Sequence, residues 1–355
     1  MPELAELRLA ANMINETCRG VLFRGPLFRS AVSRSASINL HPLFRSGYNI
    51  EAISRGKELA LVLSRQLESR GMGRGKRGSK RGGSKASKTS LSDDAAAEEE
   101  PVPSDPSQPL HIVFRFGMSG KFQWAPNQQA LDKHAHLQFT AADARILSFV
   151  DARRFGGWAV GGFNTASRGP DPTTEHEAFR DNLNRLLAKS PKLFERPICE
   201  LLMEQRAFNG IGNYLRAEIL HRAKVQPFVR AREHIERCLE LPPAPNGTGR
   251  YRPGDASDLL SLCKKVPDEV LISFFVFLHH LNTRIICLYD SKRQFEQVLA
   301  MKSSGYMFGG GQPKVDGKEA GEVKEVREKE MARFVDWLQC YQKAPNNLVD
   351  HQKRT

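Results

Sequence analysis

The sequence predicts an α+β chain of more than one domain: an N-terminal β-sandwich with a leading helix, then an all-helical domain, then a shorter C-terminal region. Three observations carry this. The opening segment repeats apolar residues at helical spacing, and the stretch up to Val150 holds short runs of branched and aromatic residues. From Thr173 the period of the apolar positions becomes helical again.

In the opening segment Leu4, Leu7, Ala11, Ile14 and Cys18 share one face, and Gly20 stands where a C-terminal cap belongs. Pro2 suits the first helical position, where its missing N–H would be unpaired anyway. Strands are expected over Glu58–Leu63, His111–Phe116, His136–Phe139 and Arg145–Val150, a succession that fits a sandwich or barrel. Arg70–Pro109 interrupts them with Gly, Lys, Arg and Ser, followed by Asp, Ala, Glu and Pro. Such a segment buries too little apolar surface to offset its ordering entropy, so 70–109 is expected to be a disordered insertion in a first domain, 1–171. Its basic half also has the composition of a nuclear-localisation or DNA-tethering tract.

Beyond it, Phe179, Leu183, Leu186 and Leu187 share a helical face, and Pro197 opens a further helix through Glu204. A glycine-rich turn, Phe208 to Asn213, leads into a helix from Tyr214 to about Ala223. Helices over about Ala231–Leu239 and Ser257–Cys263 complete a second domain, 172–270. Leu271–Gln297 is rich in Phe, Leu and Ile without a clean period and is expected to be an atypical insertion, leaving 298–355 as the third region.

The net charge of +13 and a pI near 9.6 point to a polyanionic partner, nucleic acid before an acidic membrane, although the basic tract carries part of the excess. The six cysteines are scattered without a C-x-x-C pair, which argues against a zinc ribbon or a thioredoxin-like site and suits a reducing compartment. Glu3 and Glu6 stand where the apolar core of a secretory signal would begin, so none is expected. Leu271–Leu281 is too short to span a bilayer, and no membrane partner is expected.

Gly210-Ile211-Gly212-Asn213 has the form of a phosphate clamp: glycines let the backbone approach a ligand, and the N-terminus of the next helix attracts an anion. Asn213 adds a side-chain donor. The same glycine pattern also serves plain helix packing.

Four blocks carry a resemblance. They are Met1-Pro2-Glu3-Leu4-Ala5-Glu6, Phe114-Arg115-Phe116-Gly117-Met118-Ser119-Gly120, Asp151-Ala152-Arg153-Arg154-Phe155-Gly156 and the run from Phe208 to Glu218. Together, and in this order, they resemble the formamidopyrimidine-DNA glycosylase/endonuclease VIII family, whose helix-two-turn-helix motif the last block matches. Arg55-Gly56-Lys57-Glu58-Leu59 and Arg196-Pro197-Ile198-Cys199-Glu200 direct the likeness to its eukaryotic endonuclease VIII-like 1 branch.

The chemistry of Pro2 follows from its position. Once Met1 is removed, Pro2 is a free secondary amine, and an α-amino group with a pKa of about 8 is partly unprotonated near neutrality. The positive end of the helix dipole discourages protonation further. Such an amine can attack C1′ of a deoxyribose. Position alone favours a proline that merely starts a helix. The resemblance implies the nucleophile, with Glu3 beside it as general acid, Lys57 contacting phosphate or sugar, and Glu6 contacting the lesion. Locally, Glu3 also serves as a first-turn acid, and Lys57 as a solvated turn residue. Removing a base from the stack leaves a hole that an apolar wedge and a cation would fill. Met118, Arg153 and Phe155 resemble that trio, while core packing for Met118 and Phe155 is the local alternative.

At the far end, Trp337-Leu338-Gln339-Cys340-Tyr341 and Asp350-His351-Gln352-Lys353-Arg354 resemble the approach to a zincless β-hairpin, with Arg354 as its DNA-contacting arginine. No return strand follows, so a truncated zincless-finger-like region is expected. The resemblance thus implies a nuclear base-excision-repair DNA glycosylase with apurinic/apyrimidinic lyase activity, proceeding by β,δ-elimination on oxidised bases. Such a protein acts as a monomer on damaged double-stranded or bubble DNA, without metal or cofactor. The alternative is a non-catalytic damaged-DNA-binding protein of the same fold.

Overall fold

The computed structural model describes residues 2–65, 108–240, 258–278 and 337–338, with side chains of the last helix followed to residue 271. The helices are α1 (Leu4–Cys18), α2 (Pro42–Ser46), α3 (His176–Lys189), α4 (Ile198–Leu201), α5 (Asn213–Ala223), α6 (Ala231–Glu240) and α7 (Leu259–Leu278). The strands are β1 (Phe28–Arg29), β2 (Tyr48–Arg55), β3 (Glu58–Arg65), β4 (Leu110–Arg115), β5 (Lys121–Ala125), β6 (Ala135–Thr140), β7 (Ile146–Val150) and β8 (Gly157–Val160).

The strands form two antiparallel sheets, ordered β1-β6-β7-β5 and β2-β3-β4-β8. Leu59, Leu61 and Phe114 of one sheet share a buried core with Leu137, Phe139 and Phe149 of the other. Alternation along β2 explains its orientation: Tyr48, Ile50 and Ala52 point inward, while Asn49, Glu51 and Ile53 face solvent. This strand is an edge, and α1 covers part of it. The Asn15 amide accepts from Ala52 N at 2.6 Å and donates to Ala52 O at 2.8 Å.

The four expected strands are present to within two residues at each end, and the structure adds β1, β2, β5 and β8. Strands β3 and β4, which flank the segment expected to be an insertion, are neighbours in register Leu59↔Phe114 to Leu63↔Leu110. The intervening residues 66–107 lie outside the described residues.

The helical part packs around Phe179, Phe194, Phe208, Leu215, Ile219 and Leu260, all fully buried or nearly so. Two expectations are corrected here. The helix opened by Pro197 is only one turn, Ile198–Leu201. The last helix is much longer than Ser257–Cys263: it continues through Pro267, and its buried stripe includes Cys263, Val266 and Val270. Burial of that stripe outweighs the hydrogen bond that Pro267 cannot make. The segment expected to be an insertion from Leu271 therefore begins as a continuation of α7 to Leu278, and 279–297 lie outside the described residues.

Helix α1 joins the two halves. Leu7, Ala11, Ile14 and Cys18 enter the sandwich core, whereas Leu4 and Ala5 enter the helical one. Its N-terminus is thereby fixed at the seam. Of the C-terminal region, Leu338 is buried in the helical core, and Trp337 lies 4.5 Å from the Arg222 guanidinium, which also pairs with Glu269. Arg354 and the expected zincless hairpin lie outside the described residues.

Candidate active site

Glu3 comes first, because the fold brings its carboxylate to partners 209 to 212 positions away in sequence. The first N–H groups of a helix have no partner within it. At the N-terminus of α5, Glu3 Oε2 accepts from Gly212 N at 2.8 Å and Leu215 N at 3.2 Å, and Oε1 from Tyr214 N at 3.1 Å. The main chain adds Leu4 N to Gly210 O at 3.0 Å.

The two glycines make this approach possible. A Cβ on Gly212 would lie 2.3 Å from the Glu3 carboxyl, and one on Gly210, at φ +98°, would lie 2.7 Å from Leu4 Cβ. Beside the phosphate clamp expected from Gly210 and Gly212, the glycine backbone lies close to the chain's own amino-terminal segment, and the Glu3 carboxyl accepts at the helix N-terminus. Asn213 is the first residue of α5, half-buried, and its Oδ1 meets no donor among the described residues.

Lys57 occupies the β2–β3 turn, but not as a solvated charge. It is 9% exposed, and Nζ donates to Ile211 O at 2.8 Å. The turn is pinned from the helical side: Gly56 N donates to Asp171 Oδ2 at 2.7 Å, and Asp171 Oδ1 accepts from Thr173 N and Oγ1. Gly56 has φ +57°, and a Cβ there would lie 2.0 Å from Asn209 Oδ1. Gly56→Ala is therefore expected to cost about 1–3 kcal/mol. Urea unfolding checks this; an unchanged midpoint would show that the turn is not fixed by that contact.

Glu6 is half-buried and already engaged. Its carboxylate accepts from Glu3 N at 2.9 Å. Burial pushes the Glu3 carboxyl up to about 7, against the pull of Lys57 and with a push from Glu6. Burial lowers the Lys57 ammonium, against the attraction of Glu3. An acid that holds its proton to neutrality thus faces an amine that gives its proton up early.

Lys57 borders a cleft of about 720 Å³ whose walls also include Pro2, Arg34, Arg115, Arg168 and Phe155. Gln205 also lines it, and locks the glycine turn by donating to Ile211 O and accepting from Gly210 N. Sequence reasoning misses Arg34, Arg168 and Gln205; Arg168 and Gln205 stand near Gly169 and Gly210, while Arg34 has no glycine near it in sequence.

Met118, Arg153 and Phe155 stand together on two stitched loops. Arg153 Nη1 lies 3.9 Å from Met118 Sδ, and Asp151 accepts from Ser119, Arg153 N and Gly156 N. Gly117, at φ +57°, lets the first loop press on the Phe155–Gly156 backbone. Phe155 is 63% exposed, so core packing does not account for it, and Met118 is half-buried. Among the described residues no group of three or more His, Cys, Asp or Glu is placed to hold a metal, and no helix is long and apolar enough to cross a membrane.

Residues 1–158 match the family described as formamidopyrimidine-DNA glycosylase N-terminal domain. Over 279 residues the chain is 43% identical to mouse (Mus musculus) endonuclease 8-like 1 and 42% identical to the human (Homo sapiens) protein. Each alignment covers 76% of this chain and 61% of the relative, so the chain spans about three fifths of their length. A crystal structure of the MutM (Fpg) protein from Thermus thermophilus is similar at 22% identity, with 76% of each chain covered and a TM-score of 0.46.

Proposed function

We propose, from the premise that residues 1–158 belong to the formamidopyrimidine-DNA glycosylase family, that this protein is a base-excision-repair DNA glycosylase with apurinic/apyrimidinic lyase activity. The observation that carries the proposal is the presence of Pro2 in the wall of a cationic cleft that Lys57 also lines, with Glu3 next to Pro2 in the chain. The substrate is damaged DNA, double-stranded or bubble, carrying an oxidised base, and the protein acts in the nucleus as a monomer.

In the proposed reaction the Pro2 nitrogen attacks C1′ of the damaged nucleotide. The C1′–base bond breaks, its electron pair leaves with the base, and the base takes up a proton. Glu3, still protonated near neutrality, assists by donating toward the sugar ring oxygen. The sugar opens to an iminium ion on Pro2, which acidifies C2′–H. Loss of that proton forms C2′=C3′ and expels the 3′ phosphate; a second elimination expels the 5′ phosphate, and hydrolysis returns the free amine. The departing base takes the proton that the Pro2 nitrogen sheds, and water accepts the C2′ proton and supplies the final hydrolysis.

Met118, Arg153 and Phe155 are proposed to fill the space left by the extruded nucleotide, the exposed ring of Phe155 serving as the wedge. Asn213, Gly210, Gly212 and Arg354 are proposed DNA contacts, and the two glycines also let the helical turn close on Glu3. A duplex carrying one oxidised pyrimidine tests the reading. Base release followed by a nick with phosphate at both ends is expected; retention of the duplex in a mobility shift with the strand intact would replace it with a binding protein.

A further inference from the structure

We propose that Arg168 is a phosphate-binding residue of this cleft, its fork held by Glu58 so that the free edge takes a phosphodiester flanking the damaged nucleotide. The inference rests on the DNA reading above.

Arg168 lies between β8 and α3, and its Nε is 3.3 Å from Glu58 Oε1. Glu58 is 3% exposed and itself fixed, since Oε2 accepts from Asn164 N at 3.1 Å. It also directly follows Lys57, so one turn sends Lys57 to the Ile211 carbonyl and Glu58 to the Arg168 guanidinium. A guanidinium carries five N–H donors in a planar fork. One edge meets Glu58; Nη1 is buried and meets no acceptor among the described residues.

Leaving a buried charged donor unpaired is costly, and an acceptor that arrives with the substrate removes the cost on binding. The surroundings select the charge of that acceptor. Arg168 lines the cleft beside Lys57, close enough for its charge to disfavour the Lys57 ammonium, and Arg34 and Arg115 line the same space. Cations facing one cavity call for an anion, and a phosphodiester matches the planar fork in charge and geometry. Because Pro2 borders the same cleft, the phosphate is one adjoining the nucleotide whose C1′ Pro2 attacks.

A methylphosphonate scan tests this. Duplexes with a stable abasic analogue carry one neutral methylphosphonate at successive positions, and affinities are measured for the wild type and Arg168→Gln. In the wild type one flanking position is expected to weaken binding about 10- to 100-fold. In Arg168→Gln that penalty disappears, the penalties elsewhere remain, and the salt slope falls by about 1. Should Arg168→Gln fail to fold, Arg168→Lys keeps the charge without the fork and is expected to shrink the same single penalty. Penalties unchanged at every position in the folded variant would overturn the proposal. Borohydride trapping of the wild type on abasic DNA reports separately on the enzymatic reading: loss of trapping with the phosphate coupling intact would sink that reading and spare this one.

Discussion

Protein that keeps methionine on Pro2 is expected to cleave abasic DNA at the uncatalysed background rate while binding the same duplex as tightly as the processed form. The reason is electronic. In the Met1–Pro2 peptide the proline nitrogen shares its lone pair with a carbonyl, so it is no longer a nucleophile. The cations of the cleft, Arg34, Lys57, Arg115 and Arg168, are untouched by that change and continue to attract the phosphates. Rapid-quench cleavage of an abasic duplex, with affinity measured in parallel, checks both halves. Cleavage at the processed protein's rate would show that the reaction does not use the Pro2 amine.

The second large effect is expected from Glu3→Gln. The carboxylate satisfies three N–H groups of the glycine turn and α5. A carboxamide of the same shape keeps its oxygen on one side and turns an NH2 toward the other, leaving at least one donor unpaired at a cost of about 1–3 kcal/mol. The variant also lacks an acid. Base excision should fall about 10²- to 10⁴-fold, while cleavage of a preformed abasic site, which needs no base to leave, should fall far less.

The pH dependence follows from the raised Glu3 value. The protonated form persists to about 7, so excision by the wild type should decline as pH rises through about 7, and Glu3→Gln should lose that limb. Stability runs the same way. A carboxyl raised in the folded state binds its proton more readily there, so its contribution is present below the ordinary glutamate value of 4.5 and lost as pH rises through about 7. Single-turnover excision measured on either side of that value decides the matter; a flat wild-type profile would remove Glu3 as the proton source.

Much of the fold is legible in the sequence because it is local. The apolar stripe of α1 and the β3 and β4 runs are set by periodicity, which adjacent residues reveal. Strand β2 alternates as cleanly, yet Asn49 and Glu51 on its solvent face dilute the apolar signal. Helix α7 exceeds its expected length because Pro267 is a breaker only locally, and burial against the helical core carries the helix past it.

The site divides along the same line. Gly210 and Gly212 announce a close approach, but not that the approaching group is Glu3, because contacts across the whole chain leave no trace in spacing. By its neighbours in sequence Lys57 is a solvated turn lysine, and only the docking of the β2–β3 turn on Asp171 and Asn209 buries it. Arg34, Arg168 and Gln205 belong to no periodic element and become visible only as walls of one cleft.

Two amines face that cleft, Pro2 and Lys57, and the account rests on the first. Borohydride trapping on an abasic duplex, followed by digestion and mass spectrometry of the adduct, separates them. The sugar-derived mass is expected on the peptide that begins at Pro2. An adduct on Lys57, or DNA bound with no adduct formed, would contradict the account.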